Sequence, residues 1–211
     1  MRWIAISAMV VDHVGAILLP PAEAMPLRAI GRIAWPLFAF LLAYNVAVRR
    51  VDPVRYLKPL LFWTLIAQLP HYLAFNVPVV SILGTLFLAA ATLSIVRHHS
   101  RLAARSIFTA PLLLLLILYA SMRVEYGPLG VALVLAFWWA LRTADPRVWL
   151  VALVATALAN QPWPIWPYAL LAVPIPFICA RLLLGLPRSG RLPWLFYPAH
   201  LALLAGLERL L

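Results

Sequence analysis

Residues 2–19 read RWIAISAMVVDHVGAILL, an apolar run opened by one arginine and interrupted at its middle by Asp12-His13. At ~1.5 Å per helical residue the run is ~27 Å long, close to the ~30 Å hydrocarbon core of a bilayer. A cleavable signal would also start this way, and Ala22-Glu23-Ala24 imitates a cleavage site. The hydrophobic region of a signal is uniformly apolar, however, and an Asp-His pair at its centre argues for a retained membrane helix.

The rest of the chain repeats the pattern. Of 211 residues, 65% are hydrophobic and 11% charged, and the mean hydropathy is +0.97. That leaves too little polar surface to cover a water-soluble globule. A disordered chain, a secreted disulfide scaffold and a nucleic-acid binder are therefore excluded, and the lone Cys179 has no partner for an internal disulfide. The expected fold is all-α: a polytopic transmembrane helical bundle forming a single domain over residues 1–211. Nine spans are expected, at 3–19, 28–48, 57–75, 77–96, 107–119, 128–141, 148–159, 165–184 and 194–211. The fifth to seventh are short enough to be broken or re-entrant, so eight is the other count.

Charge orients the spans. The net charge of +11 lies mainly between apolar runs rather than in one basic face. Arg49, Arg50, Arg55 and Lys58 fill the second gap, and Arg97, Arg101 and Arg105 the fourth. Arg142 and Arg147 mark the sixth, and Arg181, Arg188 and Arg191 surround the eighth. The positive-inside rule then places these gaps and the N-terminus on the cytoplasmic side.

Ionisable groups at membrane depth are functional candidates by default. Asp12 and His13 lie near the midplane of the first span, and Arg32 follows Gly31 where the second span opens. Pro36 has no N–H, so the carbonyl of Arg32 loses its helical donor. The short connection between the two spans lets Arg32 pair with Asp12. Arg2 precedes His13 by eleven residues, and eleven steps of ~100° return to within ~20° of the same helical face. One stripe therefore carries a cation at the cytosolic mouth and an imidazole at mid-depth. In the last span Tyr197 and His200 share a face, with His200 at nearly the depth of His13. Gln68 and His71 share a face of the third span, on its outer half, where they line an acceptor path or join helices. Glu125-Tyr126-Gly127 forms an outer loop. No metal-ligand spacing, phosphate loop or dinucleotide fingerprint is present.

These motifs carry a resemblance. Ala5–Met9 followed by Val10-Val11-Asp12-His13 resembles the opening of the TraX family of membrane N-acetyltransferases. Ile30-Gly31-Arg32-Ile33-Ala34-Trp35-Pro36 is similar to that family's second motif. Gln68-Leu69-Pro70, Tyr126-Gly127-Pro128 and Tyr197-Pro198-Ala199-His200 follow in the family's order. The family is in turn similar to the acyltransferase-3 proteins, many of which carry an Arg, ten residues and a His in the first span. The resemblance implies acetyl-CoA as co-substrate, no metal, and His13 as the catalytic group. It does not identify the acceptor; a pilin N-terminus or another envelope molecule is the expected one, with the lipid bilayer as the other partner and no nucleic acid.

The expected reaction moves an acetyl group from cytosolic acetyl-CoA to an amine or hydroxyl. His13 acts as general base, Asp12 orients or charge-stabilises the centre, and Arg32, His200 or Tyr197 donates to the oxyanion. Arg2, Tyr197, Gln68, His71 and Tyr126 are the expected substrate-binding residues. The rival readings are a proton-coupled transporter or flippase using the same ionisable set, a b-type cytochrome with His13 and His200 as axial ligands, and a non-enzymatic pilus-assembly protein.

Overall fold

The computed structural model describes residues 1–105, 108–143, 145–160, 164–181 and 192–211. Residues 107 and 182–184 of the expected spans, and the loop residues Arg188 and Arg191, lie outside them. Among the described residues the chain is helical throughout, with no β-strand beyond an isolated bridge between Val80 and Val124.

Each expected span has a helix in its place. The first is α1 (Arg2–Leu18). The gap after it is itself helical: α2 (Pro21–Gly31) starts on Pro21, and Leu19, two residues before it, is extended. Proline is preorganised for the first helical turn, and pre-proline crowding keeps Pro20 out of the helix. The expected second span is divided. Arg32 and Ile33 separate α2 from α3 (Ala34–Ala47), and Pro36 sits in the first turn of α3, where a missing N–H costs nothing. Arg32 thereby stands at a helix junction instead of inside a continuous helix.

α4 (Val54–Phe75) ends on Asn76, whose φ of 50° places it in the left-handed region that closes helices. α5 (Ile82–Arg105), α6 (Thr109–Ser121) and α7 (Gly127–Thr143) follow. α8 (Pro146–Ala159) is capped by Asp145, whose carboxylate accepts the Arg147 N–H at 2.8 Å. The eighth expected span opens as a 3-10 helix, Trp166–Ala172, before α9 (Ile175–Arg181). α10 (Leu192–Glu208) closes the described chain.

By length and hydropathy, segments Pro21–Ala47 and Ile82–Ser100 are long and apolar enough to cross a bilayer. Four others, including α6 and α8, are apolar but shorter. The thirteen residues of α6 reach only ~20 Å, less than a bilayer core. Large apolar side chains nevertheless face outward. Leu65 and Leu69 of α4, Leu115 of α6 and Leu150 of α8 are all more than 60% exposed. Buried hydroxyls satisfy themselves within their own helices, Thr64 on the Leu60 carbonyl, Thr92 on Leu88 and Thr156 on Ala152. Such back-bonding suits an interior where no water completes the hydrogen bonds.

The chain's two ends meet. α10 packs between α1 and α4, α1 also packs on α2 and α3, and α3 rests on α7. Fully buried alanines lie within the bundle, among them Ala5, Ala39, Ala43, Ala67 and Ala89. Small residues let backbones approach closely where apolar surroundings give no hydrophobic drive between helices. The closest approach is at Gly31: a Cβ there would lie 2.2 Å from the Asp12 Cβ. This contact sets α1 against the α2–α3 junction and brings Asp12 to Arg32.

Candidate functional site

Asp12 and Arg32 form a buried ion pair. Arg32 Nη2 donates to Asp12 Oδ1 at 3.1 Å and reaches Oδ2 at 3.3 Å. The pairing anticipated from the short connection is therefore present, and Gly31 is what makes room for it.

One residue further on, His13 points toward α10. Its Nδ1 lies 2.7 Å from His200 Nε2, across 187 residues of chain. The two ring planes differ by 2° and their centroids are 5.0 Å apart. That separation matches the N···N distance plus two ring radii, so the rings lie nearly coplanar and meet edge to edge. His200 Nδ1 lies 2.9 Å from the Phe196 carbonyl one turn back. Both ring nitrogens of His200 are thus engaged, which leaves it no N–H for an oxyanion in this arrangement. Phe75 and Tyr197 border the His13 ring edge-on, with centroids 5.3 and 6.3 Å away.

His71 and Gln68 go different ways. His71 Nε2 lies 3.6 Å from Glu125 Oε2, so the loop between α6 and α7 meets α4. The same Glu125 oxygen accepts the Ile82 N–H at 3.0 Å and holds the start of α5. Thr85 Oγ1 donates to the Glu125 carbonyl. Gln68 spans the turn before α5, donating to the Val79 carbonyl at 2.9 Å and accepting from the Ser81 N–H at 3.3 Å. Of its two expected roles, this geometry favours joining helices. Tyr126, with a φ of 63°, lays its ring on Trp35 at 4.8 Å between centroids.

Two cavities frame these groups. The larger, about 260 Å³, is mostly apolar and runs along α1 from Arg2 past Ile6 to Met9, with Asn45 and Tyr56 beside Arg2. The smaller, about 20 Å³, is lined by Asp12, His13, Trp35, Glu125 and Tyr126. Met9, Phe38, Ile82 and Tyr197 border both, so they form the partition between an apolar entry and a polar centre. Arg2 stands at the far end of the entry from His13, three helical turns away on α1.

Asn45, Tyr56 and Phe75 were not among the residues expected at the site, and Glu125 was expected only in a loop where an acceptor docks. Glu125 lies in a short loop, and no periodicity sets the depth to which a loop descends. Asn45 and Tyr56 carried a usable signal, being polar groups at the ends of apolar helices facing the same basic gap.

A membrane-associated helical bundle with paired ionisable groups buried at its centre is the class that these features define. The TraX protein family model matches residues 1–208, and the chain belongs to that family. No curated protein and no solved structure matches it significantly.

Proposed function

We propose that the protein is a multi-pass inner-membrane acetyltransferase, using acetyl-CoA from the cytosol and an amine or hydroxyl acceptor such as a pilin N-terminus. One observation carries the reading: an apolar cavity lined by Arg2 shares the wall of Met9, Phe38, Ile82 and Tyr197 with a small polar cavity lined by His13 and Asp12. A thioester donor has matching parts, a phosphate-bearing head, a long flexible arm and a reactive carbonyl at its tip. The basic gaps and Arg2 attract the head, and the apolar walls accept the arm.

In the transfer the acceptor N–H or O–H attacks the thioester carbonyl while His13 takes the acceptor proton. The tetrahedral intermediate collapses by breaking the C–S bond, and the departing thiolate takes the proton back from His13 to leave CoA as the free thiol. A placed general base contributes ~10²–10⁴-fold. The Asp12–Arg32 pair holds a fixed dipole beside the centre, and Tyr126 and Tyr197, which line the same cavity as His13, offer hydroxyls to developing charge. The N-terminus and the Arg-rich gaps face the cytosol in this reading, since the polyanionic donor does not cross a bilayer.

The test is incubation of membranes containing the protein with labelled acetyl-CoA, followed by mass analysis of the product. An acceptor gaining one acetyl group, lost on His13→Ala with insertion intact, supports the enzyme. Absence of label under saturating donor and envelope extract overturns it in favour of a transport or assembly role.

A further inference from the structure

We propose that His200 is a positioning residue that fixes His13 in the Nδ1–H tautomer, so that Nε2 of His13 is the nitrogen presented to the reacting groups. The Phe196 carbonyl places the first proton. A carbonyl oxygen only accepts, so the His200 nitrogen 2.9 Å from it, Nδ1, carries a hydrogen. A neutral imidazole has one N–H, which leaves His200 Nε2 a bare acceptor. The His13 nitrogen 2.7 Å from that acceptor, Nδ1, must then donate. The proton of neutral His13 is thereby placed on Nδ1, and Nε2 keeps its lone pair.

Ring geometry supports this assignment. Coplanar rings meeting edge to edge point the Nδ1–H of His13 along the in-plane lone pair of His200 Nε2, which a face-to-face stack would not do. Among the described residues nothing hydrogen-bonds His13 Nε2. His13 lines the smaller cavity. In this assignment the Nε2 lone pair is the one left to serve the compartment that Asp12, Glu125 and Tyr126 also line.

The arrangement has a second consequence. When His13 Nε2 takes a proton, its Nδ1 proton can shift to His200 Nε2, and His200 keeps its Nδ1–H on the Phe196 carbonyl. Positive charge is then shared over two rings, and no proton is gained or lost by the shift. An orienting partner that selects a tautomer and steadies an imidazolium is the role a carboxylate plays in hydrolase triads. Here a neutral imidazole backed by a main-chain carbonyl fills it.

The tautomer assignment stands on geometry alone, and only its catalytic meaning rests on the acetyl-transfer reading. The test is ¹⁵N NMR of histidine-labelled full-length protein in detergent or lipid, at a pH where the pair is neutral. The His13 signals are identified by their absence in His13→Gln. Couplings from the ring carbon protons distinguish Nδ1 from Nε2. The expected result is a protonated Nδ1 and a bare Nε2 on His13, and a protonated Nδ1 on His200. A His13 protonated at Nε2 overturns the proposal, whether or not the protein transfers acetyl groups.

The kinetic arm uses two substitutions. His200→Leu removes the acceptor and should lower kcat by roughly 10²-fold with the KM for acetyl-CoA unchanged, because a misplaced proton turns a base into a donor. His200→Gln offers a carbonyl oxygen at the place of Nε2 and should recover most of the rate and the Nδ1–H signal. If both variants lose rate equally while the His13 tautomer stays unchanged, His200 does not act through His13. A wild-type protein with the expected tautomers but no acetyl transfer would leave the relay standing and remove the enzyme assignment.

Discussion

The Asp12 carboxylate and the Arg32 guanidinium meet at 3.1 Å because Gly31, the residue before Arg32, has no side chain. The backbone of the α2–α3 junction rests directly on Asp12, and a methyl group there would sit 2.2 Å from the Asp12 Cβ. Gly31→Ala should therefore destabilise the protein by about 1–3 kcal/mol, the usual cost of overpacking a tight contact. Gly206→Ala is the control, because a Cβ there meets nothing within 4 Å. Thermal unfolding in detergent should separate the two, and equal melting temperatures would mean that the junction yields without strain.

The ion pair gives a second prediction. Removing one partner of a buried pair leaves an uncompensated charge, at a cost of about 3–5 kcal/mol. Arg32→Leu should be strongly destabilising, and Asp12→Asn combined with Arg32→Leu should recover much of the loss. The double variant should still lack acetyl transfer, since the fixed dipole beside His13 is gone. A double variant as unstable as the single one would show that packing around Arg32, and not its charge, is what matters.

Gln68 distinguishes a clamp from a substrate contact. Both ends of its amide are held by the turn before α5. Gln68→Leu leaves the Val79 carbonyl and the Ser81 N–H unpaired, at about 1–3 kcal/mol. Hydrogen exchange at residues 76–82 should quicken, with the apparent affinity for acceptor following the loss of order. Unchanged exchange with a weaker acceptor KM would make Gln68 a contact residue after all.

On the loop between α3 and α4, Asp52 accepts the Val54 N–H at 3.1 Å and lies 3.4 Å from His98 Nε2. The Val54 N–H, and next the His98 side chain, hold its carboxyl below the ordinary carboxylate range. A depressed carboxyl stabilises the fold above its ordinary pKa of about 3.9 and loses that contribution as pH falls through its lowered value. Amide protection of Val54 should thus be level from neutral pH down to about pH 4 and fall below it. Asp52→Asn should flatten that acid limb, and a limb that persists in the variant would place the titrating group elsewhere.

Much of this was legible in one sequence because apolar runs, prolines and arginine-rich gaps are local signals. The Asp12–Arg32 pair followed from two motifs joined by a short connection, and the His13–His200 meeting from equal depth in the first and last spans. Local signals did not show that the first gap would fold as α2 or that the second span would break at Arg32-Ile33. The break coincides with the docking of Gly31 on Asp12, a tertiary contact. They also did not give the descent of Glu125 onto His71 and Ile82, because the depth of a loop depends on the helices that it joins. The direction of His200 was likewise hidden: depth placed it beside His13, but only the Phe196 carbonyl decides which nitrogen faces which.

The last prediction concerns the entry. Arg2 lines the mouth of the apolar cavity, and His13 stands three helical turns further along α1. If the donor's phosphates rest near Arg2, Arg2→Glu should raise the KM for acetyl-CoA while leaving the rate at saturation close to normal. The increase should be largest at low salt, because exposed charges are screened over ~10 Å at ~0.1 M ionic strength. The measurement is the donor KM against ionic strength in sealed vesicles of known orientation, with acetyl-CoA added to one side. Turnover supported only by donor on the face bearing Arg2 and the arginine-rich gaps is the expected result. Turnover from the opposite face would reverse the inferred orientation. A lower saturated rate with an unchanged KM would move Arg2 from the donor site to the structural support of α1.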